Sequence, residues 1–356
     1  MTQNAILFIP DISGFTEFVH HTDISHSKHI ITELLELLLD KNEIKLELAE
    51  IEGDALFFYK LQDIIELNQI EQQIQEMYVA FHKHLKRYEY QRICHCGACS
   101  SAYNLNLKFV VHYGEIDFIK VKGNEKPYGS AVIQAHRLLK NSIPIKEYAL
   151  FTENVIAKRL ESEEPLNSMK YDFGNISFSY KPLNHLKSQI QQIDLIPDNV
   201  PKHKLLEASF IVHTKILDLY EIVSNFEFRQ LWTNGIDKLE YEKNKVNRVG
   251  EKHRCLVNNR EVEQTTIIKK KEKNQLVYGE MTTDIPLTKK LSMYFILEQT
   301  EENKVKLDVE VYADFTPLGV FIKPILKKNL KKVVLENAKA LILLAETDFI
   351  ETKLNS

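Results

Sequence analysis

A polar turn bracketed by two prolines divides this chain into halves with different secondary-structure patterns. The turn spans 196–201 (IPDNVP), and clustered Pro, Asp and Asn residues favour a loop over regular structure. The chain has 356 residues, which is enough for two domains of ordinary size. We therefore predict one domain over residues 1–197 and a second over residues 203–350.

The first half alternates between strand and helix patterns. Ala5–Ile9 is a short apolar run before Pro10, which is typical of a buried strand. Two stripes at helical spacing and a further helix over Ser130–Leu139 follow, and hairpin turns are predicted at Gly53-Asp54 and at Tyr113-Gly114-Glu115. The stripes are Ile30, Leu34, Leu37, Leu38 and Ile70, Ile74, Met77, Phe81, Leu85. The order β-α-β-β-α-β, with an added helix and strand, predicts a ferredoxin-like sheet.

The second half begins with a strand, a short helix and then a run of strands. Ala208–His213 is predicted as the strand and Lys215–Val223 as the helix, followed by six antiparallel strands between residues 238 and 313. A last helix is predicted from about Pro324 to Glu346. The fold class is therefore α+β, with the long C-terminal helix packed across a curved sheet.

Composition excludes several classes of protein. Hydrophobic residues make up 44% and charged residues 27%, which is typical of a globular chain, and four cysteines do not form a disulfide framework. The net charge of -4 argues against a nucleic-acid partner. The apolar run Ala340–Ala345 is too short to span a bilayer, and Ala5–Ile9 lacks the charged flank of a signal peptide. We expect a cytoplasmic protein that does not span a membrane.

Two acidic motifs in the first half point to metal chemistry. The first strand ends in the sequence FIPDISGFT, and the first hairpin carries EIEGD at its tip. An Asp before a Gly-Phe-Thr turn, followed by a Gly-Asp tip, resembles the catalytic domain of class III nucleotidyl cyclases over roughly residues 1–195. The resemblance implies that Asp11, Ile12 and Asp54 hold Mg²⁺ or Mn²⁺, whose preferred ligands are hard oxygens, for reaction of a nucleoside triphosphate. The alternative is that both aspartates only end strands at polar turns.

A third segment extends the resemblance. The sequence YGSAVIQAHRL, residues 128–138, is similar to the helix that in this family carries a phosphate-binding arginine, and Arg137 matches it. A guanidinium suits that role because it can donate two parallel hydrogen bonds to two oxygens of one phosphate group. In the family this helix serves the active site of the partner subunit, so the resemblance implies a homodimer. The alternative is a solvated arginine on an exposed helix face.

Three positions bear on substrate and rate. Ile133 stands where the family has an asparagine that orients the ribose, and isoleucine forms no side-chain hydrogen bond. Glu50 stands at the first base-reading position, as in guanylate cyclases, which favours GTP. Lys126 stands at the second and fits no standard purine code, so it either contacts the base or pairs with Glu50 and leaves no base reader.

Three of the four cysteines lie within six residues, at Cys94, Cys96 and Cys99. Clustered thiols in a cytoplasmic chain are typical of zinc sites, although this spacing is not a standard zinc-finger spacing. A fourth ligand could be His82, His84 or His95, or could come from a partner chain. A reduced, buried cysteine cluster is an equal alternative.

The second half resembles the helix-grip fold of the START and polyketide-cyclase-like superfamily. The segments NFEFRQLW (225–232) and RVGEKH (248–253), together with the terminal helix, carry the resemblance. It implies a cavity under that helix for an apolar small molecule or lipid, with Trp232 and Phe226 as lining and Tyr294, Phe295 and Tyr312 as further candidates. Each of these aromatics could instead be plain core.

The terminal helix begins with a basic face formed by Lys323, Lys327, Lys328, Lys331 and Lys332. Cations at a helix N-terminus oppose the helix dipole, so the cluster indicates either a membrane-surface contact or a solvated face.

Two functions follow from these patterns. The leading one is divalent-metal-dependent cyclisation of a nucleoside triphosphate, linked to a ligand-binding domain. The alternative is a non-catalytic protein that binds or senses a nucleotide or lipid through a degenerate cyclase domain.

Overall fold

The computed structural model of the chain forms two compact units. The first comprises Met1–Glu89 and Cys96–Ile193, and the second comprises Tyr90–His95 and Asp194–Ser356. The sequence pattern had assigned residues 90–95 to the first domain. Residues 196–199 of the predicted turn 196–201 lie outside the described residues. The structure describes residues 2–20, 24–62, 66–95, 97–156, 166–171, 174–190, 200–242, 247–257, 260–269, 272 and 274–347.

The first unit alternates strands and helices along its described residues. Two short 3₁₀ helices, Ala102–Asn104 and Asn184–Gln189, complete it. Its elements are β1 Gln3–Ser13, α1 Phe15–His20, α2 Ile24–Asp40, β2 Glu47–Glu52, β3 Ala55–Leu61, α3 Leu67–Tyr90, α4 Gly97–Ser101, β4 Asn106–Val121, β5 Asn124–Tyr128, α5 Ser130–Leu138, β6 Tyr148–Thr152, α6 Glu153–Ile156, β7 Asn167–Tyr171 and β8 Gly174–Pro182.

These strands form one mixed sheet in the order β2-β3-β1-β4-β6-β8-β7, with β5 paired to β4. The β4–β6 pair is parallel and the other pairs are antiparallel. Because strand side chains alternate between faces, Ala5, Leu7 and Ile9 of β1 share the face on which α5 packs through Ala131 and Ala135. The same alternation places Asp11 on this face.

The predicted hairpin at Tyr113-Gly114-Glu115 is wrong, because β4 runs unbroken from Asn106 to Val121. The chain turns later, at Lys122 and Gly123, which have φ angles of 48° and 91°. Gly114 is needed for close packing instead. A Cβ atom there would lie 2.8 Å from the Cβ of Ala131, so only glycine lets α5 approach the sheet.

The second unit is an antiparallel sheet with three α-helices in its described part. The strand order is β10-β11-β12-β13-β14-β15-β9, and a 3₁₀ helix, Leu318–Ile322, precedes the last α-helix. The elements are β9 His203–Val212, α7 Ile216–Ser224, α8 Phe226–Trp232, β10 Ile236–Glu240, β11 Lys252–Val257, β12 Arg260–Ile267, β13 Gln275–Thr282, β14 Thr288–Glu301, β15 Lys304–Phe315 and α9 Lys323–Ala345.

The C-terminal helix α9 lies against this sheet through one stripe. Its buried residues Val334, Ala338, Leu341 and Ala345 recur at intervals of four and three, which places them on one face. The α+β class, the two sheets and the long C-terminal helix are therefore confirmed. Among the described residues, every helix is too short or too polar to cross a bilayer.

Candidate functional site

Two neighbouring strands of the first sheet, β1 and β4, bring Asp11 and Lys108 together. Asp11 of β1 lies opposite Ala55 of β3 on one side and Lys108 of β4 on the other. Lys108 Nζ lies 3.1 Å from Asp11 Oδ2 and donates to the carbonyl of Leu139 at 3.3 Å. Burial raises the pKa of Asp11, and the Lys108 charge opposes this rise. The carboxylate is therefore both buried and already paired with a cation.

Asp54 lies at the β2–β3 turn beside Asp11. Gly53 supplies the positive φ that the turn requires, 65°, and the backbone N–H of Ile12 donates to the carbonyl of Asp54 at 3.0 Å. Burial raises the pKa of Asp54 to about 6, and the negative charge of Asp11 adds to the rise. The two aspartates that the sequence motifs indicate therefore interact electrostatically. The side chain of Ile12 is buried.

The two base-reading candidates pair with each other. Lys126 Nζ of β5 lies 2.8 Å from Glu50 Oε1 of β2, and both side chains are nearly half exposed. A carboxylate bound to an ammonium has fewer free lone pairs to accept from a purine. Lys126 and Glu50 are therefore arranged as in the alternative in which the two side chains pair.

The helix α5 presents Ile133 and Arg137 outwards. Ile133 is 54% exposed and Arg137 is exposed as well, while Ala131, Ala135 and Leu138 are buried. Next to Arg137, His136 Nδ1 lies 3.1 Å from Glu52 Oε2 of the β2–β3 hairpin. This contact ties α5 to the hairpin that carries Asp54.

The cysteine cluster is described only in part, because Cys96 lies outside the described residues. Cys99 belongs to the first unit, and its Sγ lies 3.7 Å from Nδ1 of His26. Cys94 belongs to the second unit, where its Sγ lies 3.9 Å from Oε2 of Glu221. The histidines predicted as a fourth ligand have other neighbours: His82 lies against Glu147, His84 against Glu33, and His95 stacks edge-on against Tyr220.

The second unit contains a partly open cavity of about 250 Å³ between its sheet and α9. The wall is largely apolar, with Trp232 and Phe295 on one side and Leu330, Val334 and Leu341 of α9 on the other. Trp232 therefore lines the cavity. Phe226 is not in the wall, since it packs against His253 and Tyr241 with ring centroids 4.3 and 5.3 Å away.

Tyr294 and Tyr312 are also absent from the cavity wall. Their rings pack edge-on at 5.9 Å, and Lys269 Nζ lies over both of them. Tyr294 lies in a separate buried cluster with Val277 and Ile296. Alternation along β14 explains the difference, because Phe295 and Tyr294 point to opposite faces.

A buried polar cluster adjoins the cavity and contributes Arg229, Glu280 and Gln264 to its wall. Arg229 of α8 pairs with Glu280 Oε2 of β13, and Tyr278 donates to Glu280 Oε1 at 2.7 Å. The guanidinium stacks over the Trp232 ring, with its central carbon 4.5 Å from the ring centre. His253 Nε2 lies 3.0 Å from Gln264 Oε1 and 3.5 Å from Glu280 Oε1.

Arg229 retains two nitrogen atoms that no other described residue satisfies. Nε and Nη1 are buried and have no acceptor among the described residues. Arg229 as a whole is 5% exposed and lines the cavity. The hydroxyl of Thr233, a further lining residue, is also buried without a partner in the described part of the chain. Buried donors of this kind are rare in folded proteins.

Sequence reasoning missed Lys108, Arg229, Glu280 and His26. Lys108 is the single charged residue of the stretch 107–111, and Glu280 is the single charged residue of the stretch 276–281; a charged residue in such an apolar stretch is a signal for a buried ion pair. His26 and Arg229 carry no comparable signal, because their partners lie far away in sequence.

Comparison with known proteins places part of the chain in context. Residues 31–148 match the family described as "Protein of unknown function (DUF2652)". A Mycobacterium tuberculosis protein, "Uncharacterized protein Rv2561/Rv2562", is 33% identical over 179 residues, which cover 49% of this chain and 79% of the relative.

Similar solved structures fall into two groups. Adenylyl cyclase CyaB from P. aeruginosa is 12% identical, with a TM-score of 0.36, over 52% of this chain and 95% of that chain. A bacterial light-regulated adenylyl cyclase is 14% identical, with a TM-score of 0.39, over 54% of each chain. A START superfamily protein from Mycobacterium smegmatis is 19% identical, with a TM-score of 0.31, over 40% of this chain and 96% of that chain.

Proposed function

The chain belongs to the family of the Mycobacterium tuberculosis protein Rv2561/Rv2562, and for this member we propose that the second unit binds a small, uncharged, mostly apolar molecule. A carbonyl oxygen of the ligand accepts hydrogen bonds from Arg229. The observation that carries the proposal is the buried guanidinium of Arg229, a residue that lines a largely apolar cavity and has two nitrogen atoms without an acceptor among the described residues.

The size of the cavity limits the ligand. An apolar cavity of about 150 Å³ in a protein core stays dry and holds benzene. The cavity here measures about 250 Å³, which suits a molecule of about two fused rings. Trp232, Phe295 and Leu341 would cover its apolar surface.

The unsatisfied donors supply the polar part of the argument. A buried N–H group without an acceptor costs about 1–3 kcal/mol, and a ligand oxygen would recover that free energy on binding. Nε and Nη1 of Arg229 together favour a ligand that offers at least one strong acceptor. The hydroxyl of Thr233, which also has no partner among the described residues, would provide a second polar contact for the same molecule.

The charge balance favours a neutral acceptor over a carboxylate. Glu280 already neutralises Arg229, and the charge of Glu280 keeps the pKa of Arg229 raised despite its burial. Burial lowers the pKa of His253 and raises that of Cys255 to about 11, so both side chains are neutral near pH 7. A ligand carboxylate would add an uncompensated negative charge beside Glu280 at low dielectric.

The single tryptophan of the chain provides the test, because Trp232 lines the cavity. The full-length protein is titrated with acetylnaphthalene, ethylnaphthalene and naphthoate while the Trp232 emission is followed. The ketone should bind about tenfold more tightly than either other probe, as one recovered hydrogen bond predicts. Equal binding of all three, or tightest binding of naphthoate, would contradict the carbonyl proposal.

A paired variant isolates the polar contribution. Removing one member of a buried ion pair leaves an uncompensated charge, so Arg229→Met is combined with Glu280→Gln, which still accepts from Tyr278. The double variant should bind ethylnaphthalene as before and lose its preference for the ketone. The exposed pair Lys252 and Glu263, changed to Gln in the same way, serves as the control.

A second candidate function is metal-dependent chemistry on a nucleoside triphosphate in the first unit. The charge of Asp11 that raises the pKa of Asp54 favours it, because a divalent cation between the two carboxylates would relieve their repulsion. The carboxylate oxygens fit Mg²⁺ or Mn²⁺, and a bound cation would neutralise triphosphate charge. Asp11 and Asp54 would hold it, and Arg137 of a homodimer would contact phosphate.

Other observations favour a nucleotide-binding module without turnover. Lys108 already neutralises Asp11, Lys126 pairs with Glu50, and Ile133 offers no hydrogen bond to a ribose. Incubation with each of four nucleoside triphosphates and Mn²⁺, followed by mass spectrometry, separates the cases. A cyclic product, GTP being the expected substrate, supports the enzyme, and binding without product supports the module. No triphosphate binding would exclude both.

A further inference from the structure

The 3₁₀ helix Leu318–Ile322 and the first turn of α9 expose a group of large apolar side chains. Phe321 is 81% exposed and Leu318 is 70% exposed, and Val320 and Ile325 are also more than half exposed. We call these four residues the apolar tip. Single exposed apolar residues are ordinary on a protein surface, but four within eight consecutive positions are not.

The apolar tip is held in place by backbone contacts. A Cβ on Gly319 would lie 1.8 Å from the carbonyl oxygen of Leu287, so the 3₁₀ helix is seated directly on the β13–β14 loop. Thr316 donates to the same carbonyl through its N–H at 3.1 Å and its hydroxyl at 3.0 Å. Leu287 is itself partly exposed beside it, with a φ of 64°. The exposure of the tip is therefore built into the fold.

Lysines adjoin the apolar tip. Between Thr316 and Leu335 the chain has five lysines and no acidic residue. Lys327, Lys328, Lys331 and Lys332 are exposed on the first turns of α9. At that end of a helix their charges oppose the dipole, so helix stability does not account for them.

From this juxtaposition we infer that the apolar tip and its lysines form a docking surface for an anionic lipid bilayer. Apolar side chains flanked by lysines match the boundary between acyl chains and negatively charged headgroups. Protein interfaces fit less well, because lysine is depleted in them. The tip would insert into the headgroup region while the lysines contact lipid phosphates and carboxylates.

The position of the surface suits a protein that takes an apolar molecule from a membrane. Leu330, five residues beyond Ile325 in α9, lines the cavity, and so does Ile285, two residues before Leu287. The docking surface does not depend on the identity of the ligand. It stands if the naphthalene probes fail to bind.

Vesicle co-sedimentation of the full-length protein tests the inference. Vesicles of phosphatidylcholine mixed with phosphatidylserine should sediment the protein, and added salt should weaken the binding. Vesicles of phosphatidylcholine alone should bind at least about tenfold more weakly, since headgroup charge contributes for each lysine near the surface. Equal binding to both vesicles, or none to either, would overturn the inference.

Two double variants separate the apolar and the basic contributions. Leu318→Ser with Phe321→Ser, and Lys327→Gln with Lys331→Gln, should each reduce binding by about tenfold or more. Their folds should be intact, because the changed side chains are exposed. Leu217→Ser, and Lys238→Gln with Lys252→Gln, are matched exposed controls that should bind like the wild type. Self-association that the tip variant abolishes, without vesicle binding, would assign the surface to a second copy of the chain.

Discussion

Lys108 and Asp11 form an ion pair, with Nζ and Oδ2 3.1 Å apart, on the face of the first sheet that carries the candidate cation site. The ammonium supplies the positive charge that a divalent cation would otherwise supply to Asp11. Asp54 lies beside this pair, and its pKa reflects the negative charge of Asp11 more than the positive charge of Lys108. A metal ion at this site would therefore compete with a residue of the protein itself.

Removing Lys108 should strengthen metal binding. In Lys108→Met the two aspartates lose the neighbouring ammonium group. Calorimetry should then show Mn²⁺ binding about tenfold more tightly, because an opposite charge at this distance shifts the pKa of a carboxyl by about one to three units. Lys120→Met, an exposed lysine of the same strand, should leave the affinity unchanged. Unchanged or weaker Mn²⁺ binding in Lys108→Met would show that Asp11 and Asp54 do not form a cation site.

Metal binding at Asp54 should depend on pH. Its folded pKa is raised from 3.8 to about 6, by burial first and by Asp11 second, so the folded protein holds a proton there that the unfolded chain releases. Asp54 therefore lowers the free energy of unfolding as pH rises from about 4 to about 6. Below about pH 6, Mn²⁺ must displace the proton on Asp54 in order to bind. Mn²⁺ affinity should fall about tenfold per pH unit below about pH 6 and level off above it. Asp54→Asn should abolish the binding, and a flat profile in the wild type would contradict the assignment.

Zinc at the thiols remains a prediction, now with His26 beside Cys99. A cysteine sulfur and an imidazole nitrogen 3.7 Å apart are close enough to ligate one tetrahedral ion together. Protein purified without chelator should contain about one zinc per chain by elemental analysis. Cys99→Ser and His26→Gln should each lose it. Cys255→Ser should retain zinc, because Cys255 lies in the cavity wall.

The sequence predicts correctly the helices whose buried residues recur at regular spacing. The stripes from Ile30 and from Ile70 became α2 and α3, and the pattern after Pro324 became α9, because a helix records its buried face every three or four residues. Gly114 was misread because a glycine needed for packing and a glycine needed for a turn look alike in sequence. Only the position of Ala131 distinguishes them.

The sequence predicts fewer of the candidate site residues than of the helices and strands. Asp11 and Asp54 stood in recognisable turns, so a motif could point to them. Arg229 and Glu280 are 51 residues apart, and their pairing depends on how α8 packs against β13. No local sequence pattern predicts a contact between residues so far apart in the chain, so the polar groups of the cavity can be identified only from the structure.

A buried carboxylate in the first unit should govern acid stability. Glu147 is 3% exposed; Oε1 lies 2.6 Å from His82 Nε2, and Oε2 accepts from Lys187 and Tyr78 at 2.6 and 2.9 Å. Burial alone would raise its pKa, but the contacts with His82 and Lys187 outweigh burial and lower it from 4.5 to about 2. At roughly 1.4 kcal/mol per pKa unit this is a contribution of about 3 kcal/mol to stability.

That contribution has a defined pH window. A depressed folded pKa means that the stability is fully present above the unfolded value of 4.5 and is lost as pH falls towards 2. Glu147→Gln should therefore lower the free energy of unfolding by about 3 kcal/mol at pH 7 and by much less near pH 3, measured by urea titration. Glu71→Gln, which removes the partly exposed partner of Lys181, should cost about 1 kcal/mol or less. A Glu147→Gln protein as stable as the wild type at pH 7 would show that the buried cluster contributes no net stability.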